Sequence, residues 1–537
     1  MVAGSTRCSR RADAAVSKFP LSDADVAVVI GSGAGGGTMA HELTRRGLKV
    51  VLFEAGGRQT PASFSQNPGE AFGQLTWLEP RSQSGTWDPV KTSPTLPAWH
   101  CRTLGGTTVH WTAATPRLRR YEMLARTTYG DVPGTSLADW PIDYEELKRW
   151  YLVAEKRMCV TRRNGNPGMP ASNNFKVMYN GARRLGYKRV HTNYLAINSR
   201  AQDGRGFCIQ QGFCVQGCKT AAKWSTLYTE IPRAEATGNL DLRTGCFVTR
   251  IEHDASGKAT GVVYRDAEGH EQRQRARFIC LAGNAIESAR LLLLSESARF
   301  PHGLANSSDQ VGRNYCHHLT GFVWGIFDQP VHAYRGATLA GVVEDENIHD
   351  PKRGFVGGYH LELCALDLPT LPLVGLRYGW GREFASIMDN YRNMAGMLVN
   401  GEDLPRPGNR ITLSSTLKDA NGLPVAHVNC EEHANDIALR AHAQRQGQRI
   451  YEAAGAKRII LSATPPATHQ MGTARMSHDP ALGVTTPYGR AHDVPNLFIS
   501  DGSVQTTAGA ANPTLTIVSL VLRQADHISR EISAGRI

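Results

Sequence analysis

The chain reads as an α/β protein of more than one domain, and three observations say so. Its 537 residues exceed what one ordinary hydrophobic core organises. An apolar run from Asp25 to Ile30 leads directly into Gly31-Ser-Gly33-Ala-Gly-Gly36 and then into a stretch of helical composition over roughly 37–46. A second apolar run, Lys49 to Phe53, closes on Glu54, 23 residues after Gly31.

Each element of this β-α-β unit has a reason. The two runs are short and apolar throughout, as strands buried on both faces of a parallel sheet must be. Gly31 permits the tight turn, Gly33 lets a pyrophosphate approach the backbone, and Gly36 lets helix and strand pack closely. The helix N-terminus offers N–H groups and a favourable dipole to the anion. Glu54 falls where a carboxylate accepts from a ribose hydroxyl. The unit therefore predicts an adenine dinucleotide. These residues alone do not choose between NAD and FAD, and a purely structural glycine turn is the alternative.

Composition narrows the classes. Apolar residues make up 41% and charged residues 20%, an ordinary globular balance. The formal net charge is +12, but the basic residues are scattered. Arg117-Leu118-Arg119-Arg120 is the densest run and has no aromatic interleaving, so nucleic acid is not expected; solvated surface or an acidic electron-accepting partner is. No apolar run has the roughly 18 residues of a membrane helix. Arg10-Arg11 is followed by no hydrophobic region, so residues 1–22 read as a flexible tail without a secretory signal. The eleven cysteines are an odd number and mostly dispersed; several, such as Cys280, read as small buried hydrophobes.

Three later segments carry a family resemblance. Arg102-Thr-Leu-Gly105-Gly106-Thr-Thr-Val-His110-Trp111 sets two glycines before small hydroxyl residues, a loop that can lie against a flat ring. With it, the chain resembles the glucose-methanol-choline (GMC) oxidoreductases, which hold FAD. Arg277 to Leu293 matches that family's middle strand-turn-helix, and Asn496-Leu-Phe-Ile-Ser-Asp501-Gly502 with Asn512-Pro-Thr-Leu-Thr matches its carboxy-terminal flavin segment. The resemblance implies a discontinuous FAD-binding Rossmann-like domain (23–130, 235–319 and 456–537) and an inserted α+β substrate-binding cap (131–234 and 320–455). It also implies flavin contacts from Gly31, Gly33, Gly36, Glu54, Gly105, Gly106, His110, Val248 and Asp501. The loop around His110 is similar to that of pyranose oxidases, whose histidine is bonded to the flavin, so a covalent link at His110 is open.

Oxidising an alcohol requires a proton acceptor near neutral pKa beside the flavin, and imidazole suits that. Thr468-His469-Gln-Met-Gly matches the family segment bearing that histidine, and Asn512 matches the second catalytic position, where an amide holds the substrate oxygen. His317-His318 read as structural. In the cap, Trp324, Tyr359, His360, Glu362 and Trp380 are the residues suited to contact a sugar ring.

Cys208, Cys214 and Cys218 lie in one glycine-containing loop with no histidine to complete a four-ligand zinc site. The region resembles flavoprotein subunits of bacterial membrane-linked sugar dehydrogenases, which implies a [3Fe-4S] cluster on these three thiols. This chain has Ile209 where those proteins double the first cysteine, and Lys219 where they have proline. A disulfide or three free thiols are the alternatives. Taken together, the resemblance implies an FAD-dependent dehydrogenase of a sugar, glycoside or polyol, with electrons leaving singly through the cluster to a cytochrome c or quinone-linked partner. It implies a small helper subunit, a periplasmic site (cytoplasmic as the alternative) and membrane contact only through partners. A pyranose-oxidase-like oxidase and a non-catalytic flavin scaffold are the rivals.

Overall fold

In the computed structural model, which describes residues 17–67, 81–85, 101–366, 381–462 and 468–537, the amino-terminal unit opens a five-stranded parallel sheet. The strand order is Leu497–Ile499, Phe278–Leu281, Ala27–Ile30, Val50–Glu54, Leu240–Thr244. Pairing runs in register, with Ile30 beside Phe53 on one side and Leu281 on the other. Alternate residues separate cleanly. Ala27, Val29, Val50, Leu52 and Cys280 join a core with Met39 and Leu43 of helix Ala34–Thr44 and with Val521 and Ala525 of helix Thr514–Ser533. Val28, Val51, Phe53 and Ile279 face the larger core on the other side. The sheet is thus buried on both faces, which is why its strands read as continuous apolar runs.

The helix after the first strand begins inside the glycine run, at Ala34, three residues earlier than its composition predicts. A Cβ on Gly36 would lie 1.9 Å from the Gly31 carbonyl oxygen, and one on Gly35 would lie 1.7 Å from that of Ser500. The glycines are helical because the first turn must press against neighbouring backbone.

A second sheet of six antiparallel strands draws mainly on the stretches expected to form the cap, but its edge strand Arg458–Ser462 comes from the stretch expected in the FAD-binding domain. Its order is Arg458–Ser462, Leu319–Ile326, Met394–Gly401, Tyr359–Leu363, Gly341–Val343, Val190–Thr192. The strand at 190–192 comes from the first inserted stretch and pairs with the second. Helix Ala434–Ala453 covers one face: Val323 meets Gly447, and Gly325 meets Tyr451. Thr320 and Phe322, of opposite parity, turn to the other face, over a cavity.

The tail expected over 1–22 falls mainly outside the described residues, as do Arg10 and Arg11. Its last part is bonded to the fold: Phe19 N–H donates to Asp241 (3.1 Å), and the Leu21 carbonyl accepts from Arg275 N–H (2.9 Å). Two arginines of the basic run are tied into the fold, while Arg120 is exposed. Arg117 makes a two-pronged bond to buried Glu155, 2.6 Å at each prong, and Arg119 donates to the Asn347 carbonyl (2.5 Å). Among the described residues, no helix is long and apolar enough to cross a membrane.

Candidate active site

Two cavities meet above the carboxyl ends of the parallel strands, where open α/β sheets bind ligands. The larger, about 510 Å³, is lined by Gly31, Gly33, Glu54, Arg102, Gly106, Val248, Asn284 and Asn421 among others. The second, about 240 Å³, is lined by Gly33, Thr107, His110, Trp111, His469, Asp501 and Asn512 among others. Gly33, Thr107, Ala282 and Asn284 belong to both.

The geometry of this double cavity fits FAD. Nothing lies within 4 Å of the position a Gly33 Cβ would take, so the backbone there is open at the junction. Gly31 has φ +94°, a left-handed conformation that bends the chain under the site. Glu54 is buried and accepts from Ser32 N–H (3.2 Å), Ser32 Oγ (2.5 Å) and Gly56 N–H (2.8 Å). Burial raises its pKa, while those donors oppose the rise. A carboxylate has about four acceptor sites, so capacity for a ribose hydroxyl remains. Gly36 and Gly105 stand behind the cavity wall; Gly105 N–H donates to Ser32 Oγ (2.9 Å), locking the 102–111 loop to the first turn. Asp501 accepts from Ser288 Oγ (2.5 Å) and Ser503 N–H (2.9 Å), tying the last flavin segment to the middle one.

The second cavity brings His469 and Asn512 together. Asn512 donates through Nδ2 to Glu362 Oε2 (3.3 Å), and Glu362 Oε1 accepts from Asn193 Nδ2 (3.0 Å). Asn193 is itself fixed, because its Oδ1 accepts from Tyr194 N–H (2.8 Å). Burial pushes the Glu362 carboxyl up to about 7, against the two amide donors. Asn512 Oδ1 is buried with no partner among the described residues. Asn512 itself lines the cavity. His469 Nδ1 lies 2.8 Å from His318 Nδ1. Burial, then the neighbouring His318 and His317, hold its pKa well below the ordinary histidine value.

His110 also faces this cavity. Its Nδ1 donates to the Val215 carbonyl (2.9 Å), so its Nε2 keeps a lone pair, and that atom is buried without a partner among the described residues. Burial lowers its pKa to about 4, which keeps the ring neutral.

Cys208, Cys214 and Cys218 are free thiols lining one small cavity of about 50 Å³. They are not gathered as the resemblance implied: among the described residues, no three His, Cys, Asp or Glu side chains are arranged to hold a metal ion. The thiols have separate neighbours instead. Cys208 accepts from Gln210 Nε2 (3.7 Å) and Cys218 from Lys223 N–H (3.4 Å). Lys223 is fully buried, with Nζ donating to the carbonyls of Val109 (2.9 Å), Trp111 (2.8 Å) and Cys214. Burial lowers this amine to about 8. Together with the His110–Val215 bond, it joins the ring-facing loop to the cysteine loop.

Several expected ring contacts are core residues. Trp324 packs on Gly396 and Phe322, Tyr359 bonds His442 Nδ1 (2.9 Å) under the covering helix, and His360 bonds the Asn347 amide (2.9 Å). Glu362 alone of that set reaches the site, through Asn512; Trp380 lies outside the described residues. Lys223 and the His318–His469 contact carried no local sequence signal.

Comparison with known proteins agrees with this architecture. Two models described as GMC oxidoreductase match residues 92–320 and 405–520, and one described as NAD(P)-binding Rossmann-like domain matches 29–72. The chain is 34% identical to 2-methyl-1,2-propanediol dehydrogenase of Mycolicibacterium austroafricanum, covering 94% of this chain and 95% of that one. It is 29% identical to the fructose dehydrogenase large subunit of Gluconobacter japonicus, covering 95% and 99%. The crystal structure of pyridoxine 4-oxidase from Mesorbium loti superposes with a TM-score of 0.67 at 17% identity, over 94% of this chain and 99% of that one. The chain belongs to the GMC oxidoreductase family and is an FAD-dependent oxidoreductase acting on CH–OH groups.

Proposed function

We propose that the chain is a dehydrogenase of polyols, sugars or glycosides that bear adjacent hydroxyls. The observation carrying this reading is that His469 and Asn512 line one cavity and that Asn512 Oδ1 has no partner among the described residues. Both are acceptors when the histidine is neutral, so a substrate that satisfies both must bring two donors, as a vicinal diol does. His469 takes the proton of the reacting hydroxyl, and Asn512 accepts from its neighbour. Bound FAD supplies the two-electron acceptor for the hydride leaving the carbinol carbon. His469→Ala is expected to slow flavin reduction about 10²–10⁴-fold with FAD still bound; full activity in that variant places the base elsewhere.

A second reading concerns the size of the substrate. Phe322, Leu339, Leu366 and Leu398 give the cavity an apolar wall, which favours a short aliphatic diol over a pyranose ring. Anaerobic flavin bleaching by a panel of diols, sugars and monohydric alcohols separates the two. Peroxide released at the rate of turnover would instead mark an oxidase.

His110 Nε2 is the atom suited to bond the flavin, being unpartnered on a neutral ring; an unmodified chain mass after denaturation removes that assignment. Cys208, Cys214 and Cys218, as they stand, do not form a site for the three-iron cluster, so no electron step is routed through them. A cytochrome c acceptor, a helper subunit and a periplasmic site complete the proposal; the name of the fructose dehydrogenase large subunit supports a multisubunit setting.

A further inference from the structure

We infer that His318 is a positioning residue that fixes the tautomer of His469, so that His469 Nδ1 carries the ring proton and Nε2 is left bare for the substrate. The inference rests on the reading of His469 as the base and adds the device that makes it one.

The geometry leaves one consistent arrangement of protons. His318 Nε2 lies 3.2 Å from the Ala508 carbonyl oxygen, which can only accept. A neutral imidazole carries one proton, so His318 Nε2 holds it and His318 Nδ1 is a lone pair. That lone pair faces His469 Nδ1 at 2.8 Å, so His469 Nδ1 must donate. The bare nitrogen of His469 is then Nε2. Burial holds both rings below the ordinary histidine pKa, so neither bears the second proton that would break this order.

His318 is itself held with unusual firmness. It is fully buried, with φ +61°, a left-handed conformation that non-glycine residues seldom adopt unless their surroundings impose it. Asp403 imposes it. One carboxylate oxygen accepts from His317 N–H (2.8 Å) and the other from His318 N–H (3.0 Å), clamping the turn that precedes strand Leu319–Ile326. The rings of His318 and His469 meet edge to face at 84°. Ala508 lies in the loop that also presents Asn512, so one backbone segment serves both cavity-facing groups.

The test uses the flavin-loaded enzyme with ¹⁵N-labelled histidine, and the His469 signals are assigned by their loss in His469→Gln. The expected spectrum shows a protonated Nδ1 and an unprotonated Nε2; a proton on Nε2 overturns the inference even if His469→Ala is inactive, and so separates this failure from failure of the base assignment. His318→Phe, which keeps bulk and removes the acceptor, is expected to lower kcat/KM about 10–10²-fold, the range for losing a partner that orients a working histidine. His318→Gln is expected to recover most of that loss, because its amide accepts at one end and donates at the other. Equal losses in the two variants, or none in His318→Phe, would show a merely structural role.

Discussion

The pH dependence of diol oxidation should report on Glu362 rather than on His469. Glu362 is raised by burial from its ordinary 4.5 to about 7. Above that value the carboxylate accepts from Asn512 Nδ2, which leaves Asn512 Oδ1 unpartnered for the substrate. Below it, the carboxylic acid must donate at one oxygen. Asn193 presents its Nδ2 donor to Glu362 and would lose the bond from Tyr194 N–H to its Oδ1 by turning over. The acid therefore donates to Asn512, whose amide turns over and points its NH₂ at the substrate. One accepting hydrogen bond to the second hydroxyl is lost, worth about 1.4 kcal/mol or a factor of about ten. The kcat/KM for a vicinal diol should fall about tenfold as pH drops through 7, while a monohydric alcohol shows no such limb. Glu362→Gln should sit on the lower plateau at every pH, since its amide copies the protonated acid. Stopped-flow flavin reduction from pH 5 to 9 measures all three. A limb at 7 that survives in Glu362→Gln, or one shared by the monohydric alcohol, would refute the coupling.

The same carboxyl affects stability. Its folded pKa lies above its unfolded value, so the folded state binds the extra proton between 4.5 and about 7. Its contribution is full below 4.5 and is lost as pH rises to about 7, by about 3 kcal/mol in all. The stability difference between wild type and Glu362→Gln should change by that amount between pH 4 and 8, read by denaturant unfolding.

Three further outcomes are expected. Gly36→Ala should destabilise the fold by about 1–3 kcal/mol or more, because its Cβ meets the Gly31 carbonyl at 1.9 Å, whereas Gly33→Ala meets nothing and should lower FAD retention alone; melting curves and flavin content distinguish them. Lys223→Met should cost about 3 kcal/mol, since it leaves one buried and two part-buried carbonyls without a donor, and a melting temperature near wild type would refute that. Trp324→Ala should cost about 3–5 kcal/mol in stability as a core truncation while leaving KM for sugars little changed; a selective rise in KM would return it to the site.

The amino-terminal half of the cofactor site was legible because its reasons are local. Gly31, Gly33 and Gly36 report backbone approach within a dozen residues, and the continuous burial of 27–30 and 50–54 follows from a sheet covered on both sides. The cap was legible only through resemblance. Its six strands come from segments as far apart as 190 and 462, and no local period announces that Val190–Thr192 will pair with Gly341–Val343. The same gap explains Tyr359, which has the chemistry of a sugar contact and the parity of a core residue. It sits on an odd position of Tyr359–Leu363, and odd positions there turn toward helix Ala434–Ala453.

Direction, more than identity, is what the residues alone could not give. His469 and Asn512 carry their chemistry in their side chains, but which nitrogen is bare and which end of the amide faces inward are decided by groups far away in sequence. Glu362, through the fixed amide of Asn193, turns Asn512. Ala508, through His318, turns His469. The loop before helix Thr514–Ser533 is held in turn by Glu122, which accepts from Ala510 N–H (2.8 Å), and by Asn400, which donates to the Ala510 carbonyl (2.9 Å). The Ala508 and Ala510 carbonyls can only accept, whereas Glu362 accepts when ionised and donates when protonated, so the order at Asn512, on the cavity wall, follows the charge on Glu362. An alcohol entering there meets a site whose polarity was set by buried groups it never touches.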